Sequence, residues 1–284
     1  MEITNKVISN DCRLTKFLQK TADFHTIETG FFSLDENILC LSTQIGCAMG
    51  CVFCASACSK TTPTKSFVRD LSVEEIVSQA ENALQSIRAE QRDKKILFSF
   101  MGMGEPFLNY KNIVESIHCL SVQYPQSRAT ISTIGISPKR IQSIALEKFE
   151  IPVKLHLSLH APTDKLRRQL LPCAKKISST LKALEFFATT TRTQPKLNYV
   201  LIKGLNDSPT HAETLAELCA GKPFIAKLSQ LNPCAGFATS NQESFVLFEK
   251  ILSSRGVPSV RFFSEGSEIV AGCGQLRNYF NKNQ

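Results

Sequence analysis

The sequence predicts an α/β fold: an open partial (β/α)6 barrel with a short N-terminal extension. Three observations carry this. From residue 38 onward, short apolar β-rich runs alternate with amphipathic stretches, the rhythm of strand–helix repeats. The amphipathic stretches begin with helix-start signals. The most polar short motifs fall at the ends of the apolar runs, where parallel barrels bind ligands. A chain of 284 residues is long enough for one large core, so one catalytic fold is expected.

The candidate strands are ILCLSTQ (38–44), KILFSFMG (95–102), RATISTI (128–134), VKLHLSLH (153–160), KLNYVLIKG (196–204), IAKLSQL (225–231) and SVRFFS (259–264). Ser72 followed by Glu75 reads as a capping box ahead of Ile76, Val77, Ala80, Leu84 and Ile87, which recur at helical spacing. Ser240 and Glu243 repeat the pattern before Phe245, Phe248, Ile251 and Leu252. Asn109 stands before a helix carrying Ile113, Val114, Ile117 and Leu120, and Ser208 with Pro209 opens another through Leu215 and Leu218. Residues 1–37 lack the rhythm and read as the N-terminal extension; residues 38–284 read as the core barrel. No repeat, low-complexity tract or clear linker interrupts them.

With 43% hydrophobic and 20% charged residues, the composition is that of a globular protein, and no run of 18 uncharged apolar residues suggests a membrane span. The N-terminus carries no secretory pattern, so a cytoplasmic location without a membrane partner is expected. A net charge of +8 favours a polyanionic partner, although charge alone does not identify nucleic acid. Eleven cysteines, an odd number with Cys47, Cys51, Cys54 and Cys58 clustered, argue against a secreted disulfide framework and for a metal or redox role.

Cys47, Cys51 and Cys54 are spaced C-x3-C-x2-C directly after a candidate strand, and Gly46 and Gly50 give the loop freedom to wrap around a ligand. Three thiolates suit three irons of a cubane cluster and leave the fourth iron open. A structural zinc closed by Cys58 is the competing reading of the spacing. The loop, including Phe53, resembles the signature of the radical S-adenosylmethionine (SAM) superfamily. Its context narrows the resemblance. LCLSTQIGCAMGCVFCASA (39–57), FMGMGEPFLN (100–109), LSLHAPTDKLR (157–167), YVLIKGLNDS (199–208) and AGCGQL (271–276) resemble, in order, blocks of the RlmN/Cfr family. Members of that family methylate adenine at carbon 2 or carbon 8 in ribosomal RNA, some also in transfer RNA.

The resemblance implies a radical SAM barrel and an RNA (adenine) methyltransferase with a [4Fe-4S] cluster on Cys47, Cys51 and Cys54. It implies two SAM molecules per turnover, held by Gly104, Glu105, Ser132, Ser158, Leu159, His160 and Asn232. Taken singly, Glu105 and Asn232 read equally as helix caps, Ser132 and Ser158 as turn residues, and His160 as a core histidine. By the same resemblance Cys273 accepts a methyl group first, Glu28 in TIETG takes the proton from the attacked ring carbon, and Cys40 resolves the covalent intermediate as a Cys40–Cys273 disulfide. Without it, both cysteines read as small hydrophobes, like Cys12, Cys119, Cys173, Cys219 and Cys234. Two thiols are needed because an adenine ring carbon is too electron-poor to attack a methyl sulfonium directly. An electron donor for the cluster and a reductant for the disulfide follow as partners.

The leading target is carbon 2 of adenine in 23S ribosomal RNA. Transfer RNA, another RNA or carbon 8 would use the same chemistry, and a non-catalytic iron–sulfur protein that binds nucleic acid is the alternative from another class. Family members usually carry a helical accessory domain ahead of the base segment, so a short member lacking most of it is expected. Lys165, Arg167 and Arg168 read either as phosphate contacts or as a solvated helix face.

Overall fold

The computed structural model describes residues 1–56, 67–88, 91, 94–232, 236–262 and 275–276. The chain opens with an antiparallel meander, β1 (Glu2–Ile8), β2 (Leu14–Lys20) and β3 (Thr26–Ser33), which pairs onto β4 (Asn37–Cys40). A two-residue ladder, β5 (Gln44–Ile45) with β6 (Arg69–Asp70), follows. Strands and helices then alternate: α1 (Val73–Gln85), β7 (Ile96–Phe100), α2 (Tyr110–Gln123), β8 (Arg128–Thr133), α3 (Pro138–Leu146), β9 (Val153–Ser158), α4 (Asp164–Leu170) and α5 (Ile177–Thr191), β10 (Lys196–Leu201), α6 (Pro209–Cys219), β11 (Ile225–Gln230), α7 (Gln242–Ser254) and β12 (Ser259–Phe262).

The main sheet runs in the order β1-β2-β3-β4-β7-β8-β9-β10-β11-β12, and all pairings from β4 to β12 are parallel. Each crossover moves one strand in the same direction, so right-handed connections place the helices on one face and curl the sheet. β1 and β12 are its two edges, which gives the expected open α/β barrel. Residues 1–37, which lack the strand–helix rhythm, continue this sheet antiparallel, and Phe17, Ile27 and Phe31 belong to the main core.

Strand alternation sorts the two faces. Leu39, Phe98, Ile131, Leu155, Leu157, Leu197, Tyr199 and Leu228 are buried with helix residues such as Ile76, Ile117, Ile141, Leu184, Leu215 and Phe248. The opposite, concave face carries a polar row in register, Lys16, Gly30, Cys40, Ser99, Thr130 and Lys154. A second row holds Ser132, His156 and Lys196, and a third holds Ser158, Asn198 and Lys227. A barrel interior filled only for stability is apolar. This one is built to take polar ligands.

Three local expectations are corrected. The strand read as 38–44 stops at Cys40 because the chain peels away: the Gln79 side chain accepts from Ser42 N (2.9 Å) and donates to Ser42 O (2.9 Å), standing in for a neighbouring strand. α7 is capped by Asn241, whose Oδ1 accepts from Ser244 N at 3.0 Å, whereas Ser240 donates to Asp207 at 2.8 Å. Asn109 precedes α2 without capping it; its amide donates to Thr43 O and Leu71 O. The Ser72–Glu75 capping box forms in full, and the Ser208 box uses His211. No helix among the described residues is long and apolar enough to cross a membrane.

Candidate active site

The Cys47–Cys54 loop lies beyond β4 and β5, at the carboxyl end of the parallel strands. Gly46 and Gly50 both have positive φ, +75° and +64°, the left-handed turns that glycine reaches without strain. The loop belongs to a second apolar cluster over the strand ends, in which Cys47 and Met49 pack with Ile134, Ala161, Leu170, Ile202 and Leu231. Val52 N donates to Leu170 O at 3.1 Å, and the Phe53 ring stands edge-on to His160, 5.2 Å between centroids. Burial pushes the Cys47 thiol up to about 12 and the Cys51 thiol well above its usual range, with neighbouring thiols adding to the rise. Cys173, read from sequence as a small hydrophobe, is half-buried and within electrostatic reach of both.

Among the described residues no three Cys, His, Asp or Glu side chains converge to hold one metal ion. A [4Fe-4S] cluster asks for one thiolate on each of three irons, and the mutually close, largely buried thiols of this glycine-hinged loop fit that demand. Cys58 lies outside the described residues.

The cofactor positions expected from the sequence surround the loop. Gly104 has φ +107°, and a Cβ there would meet Thr43 Oγ1 at 2.6 Å, so only glycine lets the β7 loop pass the β4 loop. Glu105 is buried; Oε1 accepts from Thr133 Oγ1 (2.6 Å) and Phe107 N (3.2 Å), and Oε2 accepts from Ile134 N (3.0 Å). Burial raises its carboxyl above the usual range, while these bonds oppose the rise. Ser132 and Ser158 place their hydroxyls 3.4 Å apart, and Asn198 donates to Ser132 at 3.3 Å. Leu159 faces the core, fully buried. His160, at φ +55°, accepts from Val200 N through Nδ1 at 3.1 Å and is pushed down to about 3, chiefly by burial. Asn232 is half-buried just after β11.

Of the remaining expected residues, Glu28 and Cys40 lie on the concave wall. Lys16 Nζ donates to Glu28 Oε2 at 2.8 Å, a pair buried on both sides. Between Lys16 and Cys40 lies Gly30: a Cβ placed on it would sit 3.6 Å from Lys16 Cδ and 3.4 Å from Cys40 Cβ. The stem of Lys16 therefore crosses Gly30 beside the resolving-cysteine candidate, whose thiol is raised mainly by burial and lowered by Lys16. Cys273, in the segment after β12, lies outside the described residues.

Arg167, read either as a phosphate contact or as part of a solvated helix face, is neither: it is 1% exposed, and its guanidinium donates to the carbonyls of Leu159, Lys175, Ile134 and Ser158, tying the ends of β8 and β9 together. Asn206, not singled out from sequence, donates to His160 O (2.8 Å) and Val200 O (2.7 Å) and accepts from Ile202 N (2.7 Å). The Asn-Asp pair after a strand was its only signal.

The profile of the radical SAM superfamily matches residues 41–215. The chain is 38% identical over 285 residues to the "Probable dual-specificity RNA methyltransferase RlmN" of Thermotoga sp. (strain RQ2), covering 98% of this chain and 79% of that protein. It is 35% identical over 289 residues to the "Ribosomal RNA large subunit methyltransferase N" of Nitrosopumilus maritimus (strain SCM1), covering 96% and 79%. The crystal structure of a radical SAM methyltransferase from Sphaerobacter thermophilus superposes with a TM-score of 0.87 at 34% identity, covering 96% of this chain and 80% of that one. Loop, concave wall and comparisons agree: the chain is a radical SAM enzyme and belongs to the RlmN family of RNA methyltransferases.

Proposed function

We propose that the chain methylates carbon 2 of an adenine in 23S ribosomal RNA, through a methyl group carried on Cys273. The observation that carries this reading is the Lys16–Glu28–Cys40 group: a buried carboxylate, its cation and a thiol share one wall of a polar barrel below the cluster loop. A structural barrel or a plain nucleic-acid-binding module has no use for it.

Cys47, Cys51 and Cys54 would hold the [4Fe-4S] cluster, and Gly104, Glu105, Ser132, Ser158, Leu159, His160 and Asn232 would hold SAM. With SAM bound, the cluster supplies a 5′-deoxyadenosyl radical able to take hydrogen from an unactivated methyl group. The protein's tasks are binding, orientation and proton handling. A carboxylate has about four acceptor sites, and Glu105 uses three internally, leaving one for the SAM ammonium. Once the methylene radical carried by Cys273 has joined the ring carbon, restoring the aromatic ring requires that carbon to lose a proton and the adduct to give up one electron, which the oxidised cluster would take back. Glu28 accepts it, with Lys16 fixing the carboxylate's orientation. Cys40 sulfur then bonds to Cys273 sulfur; the sulfur–methylene bond breaks, its electron pair stays with carbon, and that carbon takes a proton to become methyl. A dithiol reductant reopens the disulfide.

The test is anaerobic reconstitution with iron and sulfide, incubation of ribosomal and transfer RNA with methyl-deuterated SAM, and mass spectrometry of the nucleosides. Labelled 2-methyladenosine in ribosomal RNA is expected. SAM cleavage without labelled RNA would overturn the reading, and label confined to transfer RNA or carbon 8 would redirect it. Cys273→Ala should abolish transfer while the cluster still assembles, and Cys40→Ala should trap a protein–RNA adduct. Normal turnover in either variant removes the assigned role.

A further inference from the structure

The concave wall opposite Cys40 carries a second cluster that this chemistry does not use. Lys196 stands directly opposite His156 across β9 and β10; Lys154 precedes His156 by two residues on the same face. Lys227 stands opposite Asn198, two residues beyond Lys196. Adjacent strands are about 4.8 Å apart and same-face neighbours about 6.6 Å, so the three ammonium groups share one patch.

Nothing described neutralises that patch. The nearby carboxylate, Glu36, is taken by Arg128, with Nε at 2.8 Å and a second guanidinium nitrogen closer still. Lys227 lies over the Phe262 ring at 4.1 Å, a contact that orients the ammonium but leaves its charge. One polar atom on the same patch that can donate to an anion, His156 Nδ1, has no hydrogen-bond partner among the described residues, although His156 is only 8% exposed. Buried polar atoms rarely stay unpaired in a native structure unless a ligand, water or ion completes them. Burial and Lys196 bring Lys227 down to about 8, and burial with all three lysines brings His156 down to about 3. An anion would reverse both directions.

We propose that Lys154, Lys196 and Lys227, with His156, form a phosphate-binding site that takes the backbone phosphate beside the target nucleotide. SAM does not answer to it: its sulfonium is a cation, and Gly104, Glu105 and His160, which would hold it, follow the ends of β7 and β9. Lys154 lies one same-face row below Ser132, and Lys196 shares the Ser132 row, one row below Ser158. Lys227 acts electrostatically on Cys40 across the barrel, so a phosphate here sits on the far side of the space that the adenine must enter. This inference rests on the proposed RNA substrate.

The experiment compares adenosine with adenosine 5′-monophosphate by calorimetry on the reconstituted full chain, using wild type, Lys154→Met, Lys196→Met and Lys196→Arg. We expect the monophosphate to bind at least about tenfold more tightly than adenosine in wild type, and either Met variant to shrink that ratio to about threefold or less. Lys196→Arg keeps the charge and should retain it. An equal affinity in wild type, or a ratio untouched in both Met variants, overturns the site. A second arm titrates a short single-stranded RNA at several salt concentrations, where each lost phosphate contact lowers the log–log salt slope by about 0.7. An unchanged slope with a lost monophosphate preference overturns the assignment to the RNA backbone in favour of a free nucleotide phosphate. If the preference behaves as expected but RNA is never methylated, the phosphate site stands and the proposed reaction falls.

Discussion

Gly30 is the position where one missing side chain shapes the wall. A Cβ there would already meet the Phe32 ring at 3.3 Å as well as Lys16 and Cys40. Gly30→Val should displace the Lys16 stem and destabilise the fold by about 1–3 kcal/mol, the range for overpacking; an unchanged midpoint in urea would show that the wall yields freely. Lys16→Met leaves the Glu28 carboxylate buried without its ammonium and should cost about 3–5 kcal/mol, whereas adding Glu28→Gln should recover much of it. A double variant no more stable than Lys16→Met would mean that the two side chains act independently. The histidines set a pH dependence. His156 and His160 are held down to about 3, first by burial, so both stay neutral in the folded chain where the unfolded chain takes up protons below about 6.5. Between those values the unfolded state binds more protons, so stability falls as pH falls, by up to about 1.4 kcal/mol per pH unit for each histidine. Denaturant midpoints from pH 6.5 to 4.5 should therefore fall less steeply in His156→Gln than in wild type, and parallel curves would contradict this assignment.

At the level of elements, helix ends separate what the sequence discloses from what it hides. Asn241→Ala should cost about 1 kcal/mol through the lost α7 cap. Ser240→Ala should act through Asp207 instead, so combining Ser240→Ala with Asp207→Ala should add little to either alone; full additivity would contradict the bond. Serine followed three residues later by glutamate was legible as a cap signal at both Ser72 and Ser240, but at the second site Asn241 offered a competing cap one residue on, and only backbone geometry decides between them. The parallel strands were legible because runs such as KLHLSL alternate strictly, one face entering the helix-packed core. The meander β1–β3 was not recognised, since its strands pair antiparallel without helices and read as polar, irregular sequence. Short α4 carries too few turns for a clear period, and a sequence cannot tell the buried Arg167 guanidinium, which binds four carbonyls, from an exposed one. The expected cofactor positions rest on the ordered motifs alone. Singly, each has an ordinary structural duty, and Glu105 and His160 perform theirs as well.

For the molecule as a whole, the question is whether the N-terminal strands are an appendage or part of the barrel. Reading residues 1–37 as an extension and 38–284 as the core barrel predicts that the core folds alone. The sheet argues for interdependence: β4 takes β3 on one side and β7 on the other, and Phe17, Ile27 and Phe31 are wholly buried in the main core. Removing β1–β3 would expose those packing surfaces, leave β4 as a bare edge prone to pairing with other chains, and delete both Lys16 and Glu28. We therefore expect a chain starting at Asn37 to aggregate, or to melt without a cooperative transition, and to assemble the cluster poorly because the β4 strand that leads into the cysteine loop has lost its neighbour. A truncated chain that remains monomeric, unfolds cooperatively and binds iron and sulfide like the full chain would establish the extension as a separate unit. Lys16 and Glu28 would then act on an independently folded barrel as a docked wall, and the proposed proton acceptor could be removed and restored in trans.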